Sequence, residues 1–167
     1  EVQDWGGGLT AHEVAAIEKM KQTFSNKQQN KPLKDFKELK SIFPWKGYSG
    51  FRFADVRERK EGEFDLVVVT HCNVLIVELK HWNNEPVTNN GLHWYKGKQD
   101  MGYSPVEITR KKIYLLKKKL EEFRGKFSNS TDKFPVPRIE FLVVMTGNSD
   151  FSKLSDKEKM HVINLDD

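Results

Sequence analysis

Three charged residues stand where charge is costly. Asp65, Glu78 and Lys80 interrupt the stretch Glu63–Trp82, EFDLVVVTHCNVLIVELKHW, which otherwise consists of two apolar runs around a polar break. The runs are Phe64–Val69 and Val74–Leu79, and the break is Thr70–Asn73. A buried charge is expensive unless it is paired, hydrogen-bonded or bound to a metal. Two carboxylates that cannot separate repel unless a cation lies between them. A hard divalent ion with oxygen ligands, such as magnesium, answers both problems. Lys80, two residues beyond Glu78, would orient a water beside that ion or, as the free amine, deprotonate it. Together these residue types point to metal-assisted hydrolysis.

Whether the three residues meet depends on the elements that carry them. Val and Ile dominate both runs, and β-branched residues favour strands. Short apolar runs bounded by turn residues read as strands buried on both faces. Glu78 and Lys80 are two apart and share a strand face. With a hairpin loop at Thr70–Asn73, or a two-residue loop at His71-Cys72, Val69 pairs with Val74 and Asp65 falls opposite Glu78. A three-residue loop would put the two carboxylates on opposite faces. A blander alternative makes the three charges a structural salt-bridge network. Lys80 would then neutralise only one of two carboxylates.

Composition bounds the rest. A chain of 167 residues is expected to form one domain around one core. Its net charge of +4 suits a polyanionic partner without demanding one. One cysteine, Cys72, excludes an intrachain disulfide and a cysteine-based zinc cluster. This fits a reducing, cytoplasmic setting. The apolar runs fall far short of the roughly 20 residues a membrane span needs, so no membrane partner is expected. No Walker A motif, nucleophile elbow or CxxC motif competes with the charged trio.

Along the chain, residues 1–8 read as a flexible leader containing Gly6-Gly7-Gly8. Thr10 and Glu13 form a candidate capping box opening a first helix, with Ala15, Ala16, Ile17, Met20 and Phe24 on its apolar side. Asn26–Lys37 is polar and Lys-rich and reads as a loop, with a short helical segment around Pro32–Ile42 and a turn at Pro44–Tyr48. Phe51–Arg57 is a candidate strand, giving a three-stranded meander with the two apolar runs. Asn89-Asn90-Gly91, between Pro86–Thr88 and Leu92–Tyr95, signals a hairpin. Pro105 opens a second helix over Val106–Phe123, with Ile108, Ile113, Leu115, Leu116, Leu120 and Phe123 as its apolar stripe. Val136–Thr146 and Val162–Leu165 complete the strands, with a loop at Gly147–Asp156 between them. The expected fold is α/β, a mixed central sheet flanked by helices. The abrupt end after the last strand leads us to expect a domain excised from a longer protein.

Asp…Glu-x-Lys across a hairpin resembles the catalytic core of the PD-(D/E)xK nuclease superfamily. Within it, EFDLVVV followed by VLIVELKHW is similar to the nuclease-related domain, NERD, over roughly Leu9 to Leu165. The resemblance implies a restriction-endonuclease-like αβββαβ core over residues 9–167. It also implies hydrolysis of phosphodiester bonds in DNA, with Mg²⁺ or Mn²⁺ as cofactor, and leaves RNA open as an alternative substrate. Carried onto this chain, the metal ligands are Asp65, Glu78 and the carbonyl of Leu79, with Lys80 positioning or activating the nucleophile. Glu13 matches a first-helix glutamate of the family, although His12 replaces the usual preceding glycine. Trp94 and Gly97 match a tryptophan and a glycine that the family carries in this region. The family places a glutamine near Ile108, and this chain lacks it. Members are often fused to a helicase, a kinase or a zinc-binding module. An alternative is a catalytically silent module that binds nucleic acid or docks a partner.

The second helix carries Arg110, Lys111, Lys112, Lys117, Lys118 and Lys119. Either they are a solvated surface or they track phosphates beside the active site. In the second case Arg110, Lys111 and Lys112 are the expected nucleic-acid contacts. Reversing the charge of Lys111 and Lys112 should then weaken binding across all sequences and leave divalent-ion affinity nearly unchanged.

Overall fold

The computed structural model describes residues 2–4, 8–29, 45–55, 60–70, 73–126 and 136–166. The expected turn at Cys72, the helical segment within 32–42 and most of the loop expected at 125–133 lie outside these residues. In chain order the elements are β1 (Val2–Asp4), α1 (Ala11–Gln29), β2 (Lys46–Asp55), β3 (Lys60–Val69), β4 (Asn73–Lys80), β5 (Val87–Asn90), β6 (His93–Lys96), β7 (Gln99–Tyr103), α2 (Pro105–Glu122), β8 (Arg138–Met145), α3 (Asp156–Lys159) and β9 (Val162–Asn164). This is a mixed α/β fold with a six-stranded mixed sheet, ordered β1-β2-β3-β4-β8-β9.

β2, β3 and β4 form the antiparallel meander, while β8 pairs parallel to β4 and β9 parallel to β8. Alternation along the central strands divides them between two helices. Leu66, Val68, Val77 and Leu79 pack against Ala16 and Ile17 of α1. Val67, Val74 and Ile76 face the other way, onto Leu116 of α2. Both faces are therefore covered, which explains runs without polar alternation. No helix among the described residues is long and apolar enough to cross a membrane.

Several local expectations shift. The leader expected to be flexible contributes β1, which pairs parallel with Gly47–Ser49. The hairpin signalled by Asn90-Gly91 forms one residue later: Asn90 pairs with His93, and Gly91-Leu92 make the turn. Gly91 has φ +59° at the first central position, where a type II′ turn places glycine. Gly97, also at φ +59°, repeats this between β6 and β7, completing a separate three-stranded sheet.

α2 opens at Pro105 after Ser104, whose side chain accepts the Glu107 N–H. The apolar stripe predicted for this helix is partly displaced. Val106 and Thr109 are buried near its start, whereas Ile108 is 40% and Phe123 45% exposed. Val106 joins Val87, Trp94, Val143, Met145, Leu154 and Val162 in a core that seats the small sheet.

Candidate functional site

The hairpin register brings the carboxylates together. Val69 pairs with Val74 and the ladder runs as far as Leu66–Val77. At the next step the strands part. There the Leu79 N–H donates to Asp65 Oδ2 at 2.6 Å, so a side chain does the work of the missing backbone acceptor. Gly50, opposite this point on β2 between the pairs Ser49–Leu66 and Phe51–Phe64, has φ +60°. That left-handed residue kinks the strand at the position where Asp65 must turn.

Glu78 is only 6% exposed and both of its oxygens are occupied. Lys80 Nζ donates to Oε1 at 2.9 Å, and Lys112 Nζ from α2 donates to Oε2 at 3.2 Å. Lys112 also donates to the Glu63 carbonyl at 2.9 Å. The objection that a salt-bridge network lacks a second cation therefore fails, because Lys112 supplies it. Both ammoniums settle on Glu78, however. Among the described residues Asp65 has no such ion pair.

The electrostatics follow from this. Burial, then the neighbouring Glu78 charge, raise the Asp65 pKa from 3.8 to about 6; the Leu79 N–H and the more distant Lys80 only partly oppose them. For Lys80, burial works against the charged form. The Glu78 charge and hydrogen bond, followed by Asp65 and Glu13, outweigh it and hold the pKa above its ordinary value. Lys80 is thus an ammonium, suited to facing negative charge and unsuited to taking a proton in this state.

Residues 27–146 match the model of the nuclease-related domain, NERD. The chain belongs to the nuclease-related domain family. No curated protein and no solved structure matches it. The matched stretch holds the carboxylate pair and all of α2. It is shorter than the expected span of Leu9 to Leu165.

Glu13 lies outside the stretch matched to the nuclease-related domain. Its carboxylate accepts the Thr10 N–H at 2.6 Å, and Thr10 Oγ1 accepts the Glu13 N–H at 3.4 Å. This is a capping box. Glu13 nevertheless sits close enough to contribute to the shifts of both Asp65 and Lys80. Among the described residues no group of three or more His, Cys, Asp or Glu side chains is arranged to hold a metal ion. Leu79 puts its side chain into the core, at 1% exposure, and its N–H onto Asp65.

The three expected nucleic-acid contacts diverge. Arg110 pairs with Glu107 at 2.5 Å and lies over the Phe141 ring. Lys111 is exposed, with its ammonium 5.7 Å from the Tyr103 ring centre. Lys112 turns inward to Glu78. It is therefore not the separate surface cation expected, because α2 crosses the sheet beside β3 and β4.

One contact went unforeseen. His12 stacks on His81, with ring centroids 3.8 Å apart and an interplanar angle of 5°. His81 is held by Thr146 Oγ1 and Asn83 Nδ2, each at 3.1 Å. The stack ties the first turn of α1 to the end of β4, next to Glu13 and Lys80. The only sequence signal was that each histidine adjoins a candidate site residue.

Proposed function

We propose that this nuclease-related domain is a metal-dependent phosphodiesterase that cleaves DNA. The observation that carries this reading is the convergence of Asp65 and Glu78 where β3 and β4 part. A protein that wanted only a salt bridge would neutralise both carboxylates, yet Asp65 keeps a raised pKa beside a Glu78 that holds both lysines. The order α1, β2–β4, α2, β8 supports a restriction-endonuclease-like αβββαβ core as the scaffold.

The donor set fits a hard ion such as Mg²⁺ or Mn²⁺. Two carboxylates, with the Leu79 carbonyl as a third oxygen donor, suit an ion that keeps several waters and completes its shell with phosphate. When bound, such an ion would supply Lewis-acid stabilisation of charge on the phosphate. Asp65 and Glu78 would hold it, with Glu13 as an accessory carboxylate. Lys80, as an ammonium, would orient the attacking water and face the developing negative charge. Lys111, exposed on α2, would contact the phosphate backbone. We place this activity in a cytoplasmic protein with a further fused domain.

The test is cleavage of single-stranded, duplex and nicked DNA with Mg²⁺ or Mn²⁺, comparing the parent with Asp65→Ala and Glu78→Ala. Metal-dependent cleavage lost in both variants supports the reading. Parent-level cleavage by either variant removes that residue from the site. Metal-dependent DNA binding without cleavage in the parent would point instead to a silent binding module.

A further inference from the structure

Each Glu78 oxygen already accepts from an ammonium, Oε1 from Lys80 and Oε2 from Lys112. An ion using the remaining lone pairs would meet two ammoniums at close range, so drawing one of them away favours metal binding. Lys80 is the poorer candidate. It comes from the same strand, two residues along, and is also attracted by Asp65 and Glu13. Lys112 reaches in from a separate helix on a flexible four-carbon stem, and its other contacts are uncharged, the Glu63 carbonyl and the Phe64 ring. It also has somewhere to go. Lys112 lines a cleft of about 590 Å³ whose other charged lining residues are Arg52, Glu61 and Glu63.

We propose that Lys112 is a displaceable counter-cation, occupying Glu78 until a divalent ion arrives and then moving to a substrate phosphate in the cleft it lines. The proposal rests on the metal-dependent reading above and deepens it. It gives the site a coupling device. With Lys112 in place, two ammoniums face Glu78, and one of them, Lys80, also faces Asp65 and Glu13; together they weaken the attraction for a cation. With Lys112 drawn onto phosphate, the same carboxylates attract an ion more strongly, so phosphate and metal each favour the other's binding. A fixed structural bridge would show no such reciprocity.

The experiment is calorimetric titration of the whole chain with Mn²⁺, in the parent, Lys112→Met and Lys112→Arg. A second arm measures the affinity for a short thymidine oligomer with and without Ca²⁺. Removing one facing charge should tighten Mn²⁺ binding roughly tenfold in Lys112→Met. Lys112→Arg should stay near the parent. The gain in oligomer affinity on adding Ca²⁺ should shrink in Lys112→Met. Saturable Mn²⁺ binding by Lys112→Met alone, with none in the parent, supports the proposal equally. Equal or weaker Mn²⁺ binding by Lys112→Met, with a parent that binds, overturns the proposal and leaves the metal reading standing. Absence of saturable binding in all three overturns both. Should Lys112→Met fail to fold, Lys112→Gln makes the same comparison.

Discussion

The Asp65 carboxylate accepts the backbone N–H of Leu79 at 2.6 Å, one step beyond the last paired residues of the β3–β4 hairpin. The bond fixes the side chain at the mouth of the site without neutralising it. Asp65 and Glu78 therefore differ in what their removal should do, although both are carboxylates of one pair.

For Asp65 the sign is set by a folded pKa of about 6 against 3.8 for the unfolded chain. The folded state holds the proton more tightly, so folding takes up a proton between these values. Stability of the metal-free protein should be highest below about pH 4 as far as this group is concerned. It should fall as pH rises through 6. Asp65→Asn keeps an acceptor for Leu79 and removes the charge. It should be more stable than the parent by about 1–3 kcal/mol above pH 7 and should lose this part of the pH slope. Urea unfolding across pH 4–8 reads this directly, and parallel slopes in the two proteins would refute it.

Removing Glu78 should have the opposite effect. Lys80 and Lys112 would then be left half-buried without their shared counter-charge. Glu78→Ala should lose about 1–3 kcal/mol. Had the two carboxylates merely repelled each other, either substitution would stabilise. Thermal melts of both single variants separate these cases: a rise in Tm for Glu78→Ala would contradict the two-lysine arrangement.

Lys111 and Arg110 should also part company. Lys111 is exposed, whereas Arg110 is already committed to Glu107 and the Phe141 ring. Lys111→Glu should weaken DNA binding similarly across sequences and reduce the salt slope, by about 0.7 to 0.9 per lost phosphate contact. Arg110→Gln should change it much less. Anisotropy against salt concentration measures both. Matching slopes in parent and Lys111→Glu would move the DNA path off this helix.

The His12–His81 stack predicts a local effect. His81→Ala should loosen the first turn of α1, where the Val14 N–H donates to the Thr10 carbonyl. Amide exchange at Val14 should accelerate while Ile76, in the centre of the sheet, stays protected. Unchanged exchange at Val14 would mean the capping box alone holds that turn.

How far the sequence reached depends on distance along the chain. The Val69–Val74 register was legible because two apolar runs around a short break admit few pairings that keep both faces buried. The opening of α2 was equally legible from Pro105. Lys112 was read as a surface cation, since nothing local fixes how α2 is rotated over the sheet. Its inward turn comes from Leu116 packing on Phe64, Val67 and Ile76. Strand β1 escaped notice because Val2-Gln3-Asp4 has no apolar pattern and is held by edge pairing to β2. The His12–His81 contact joins residues on separate elements, and no periodicity predicts it.

The parallel pairing of β4 with β8 carries a consequence for how the molecule is made. Asn73 is matched with Arg138 and Lys80 with Met145, so β4 must wait for distant chain before its second edge is covered. The β3–β4 hairpin, by contrast, closes over a few residues and can form within microseconds. Loop closure makes the parallel pairing the slower event. During that interval the carboxylates of the nascent hairpin stand in water without Lys112, which still lies on undocked chain. We expect pulsed amide labelling during refolding to protect Val67 and Ile76 before Val143. The same experiment with Mn²⁺ present would show whether an ion reaches the carboxylates before the helix does.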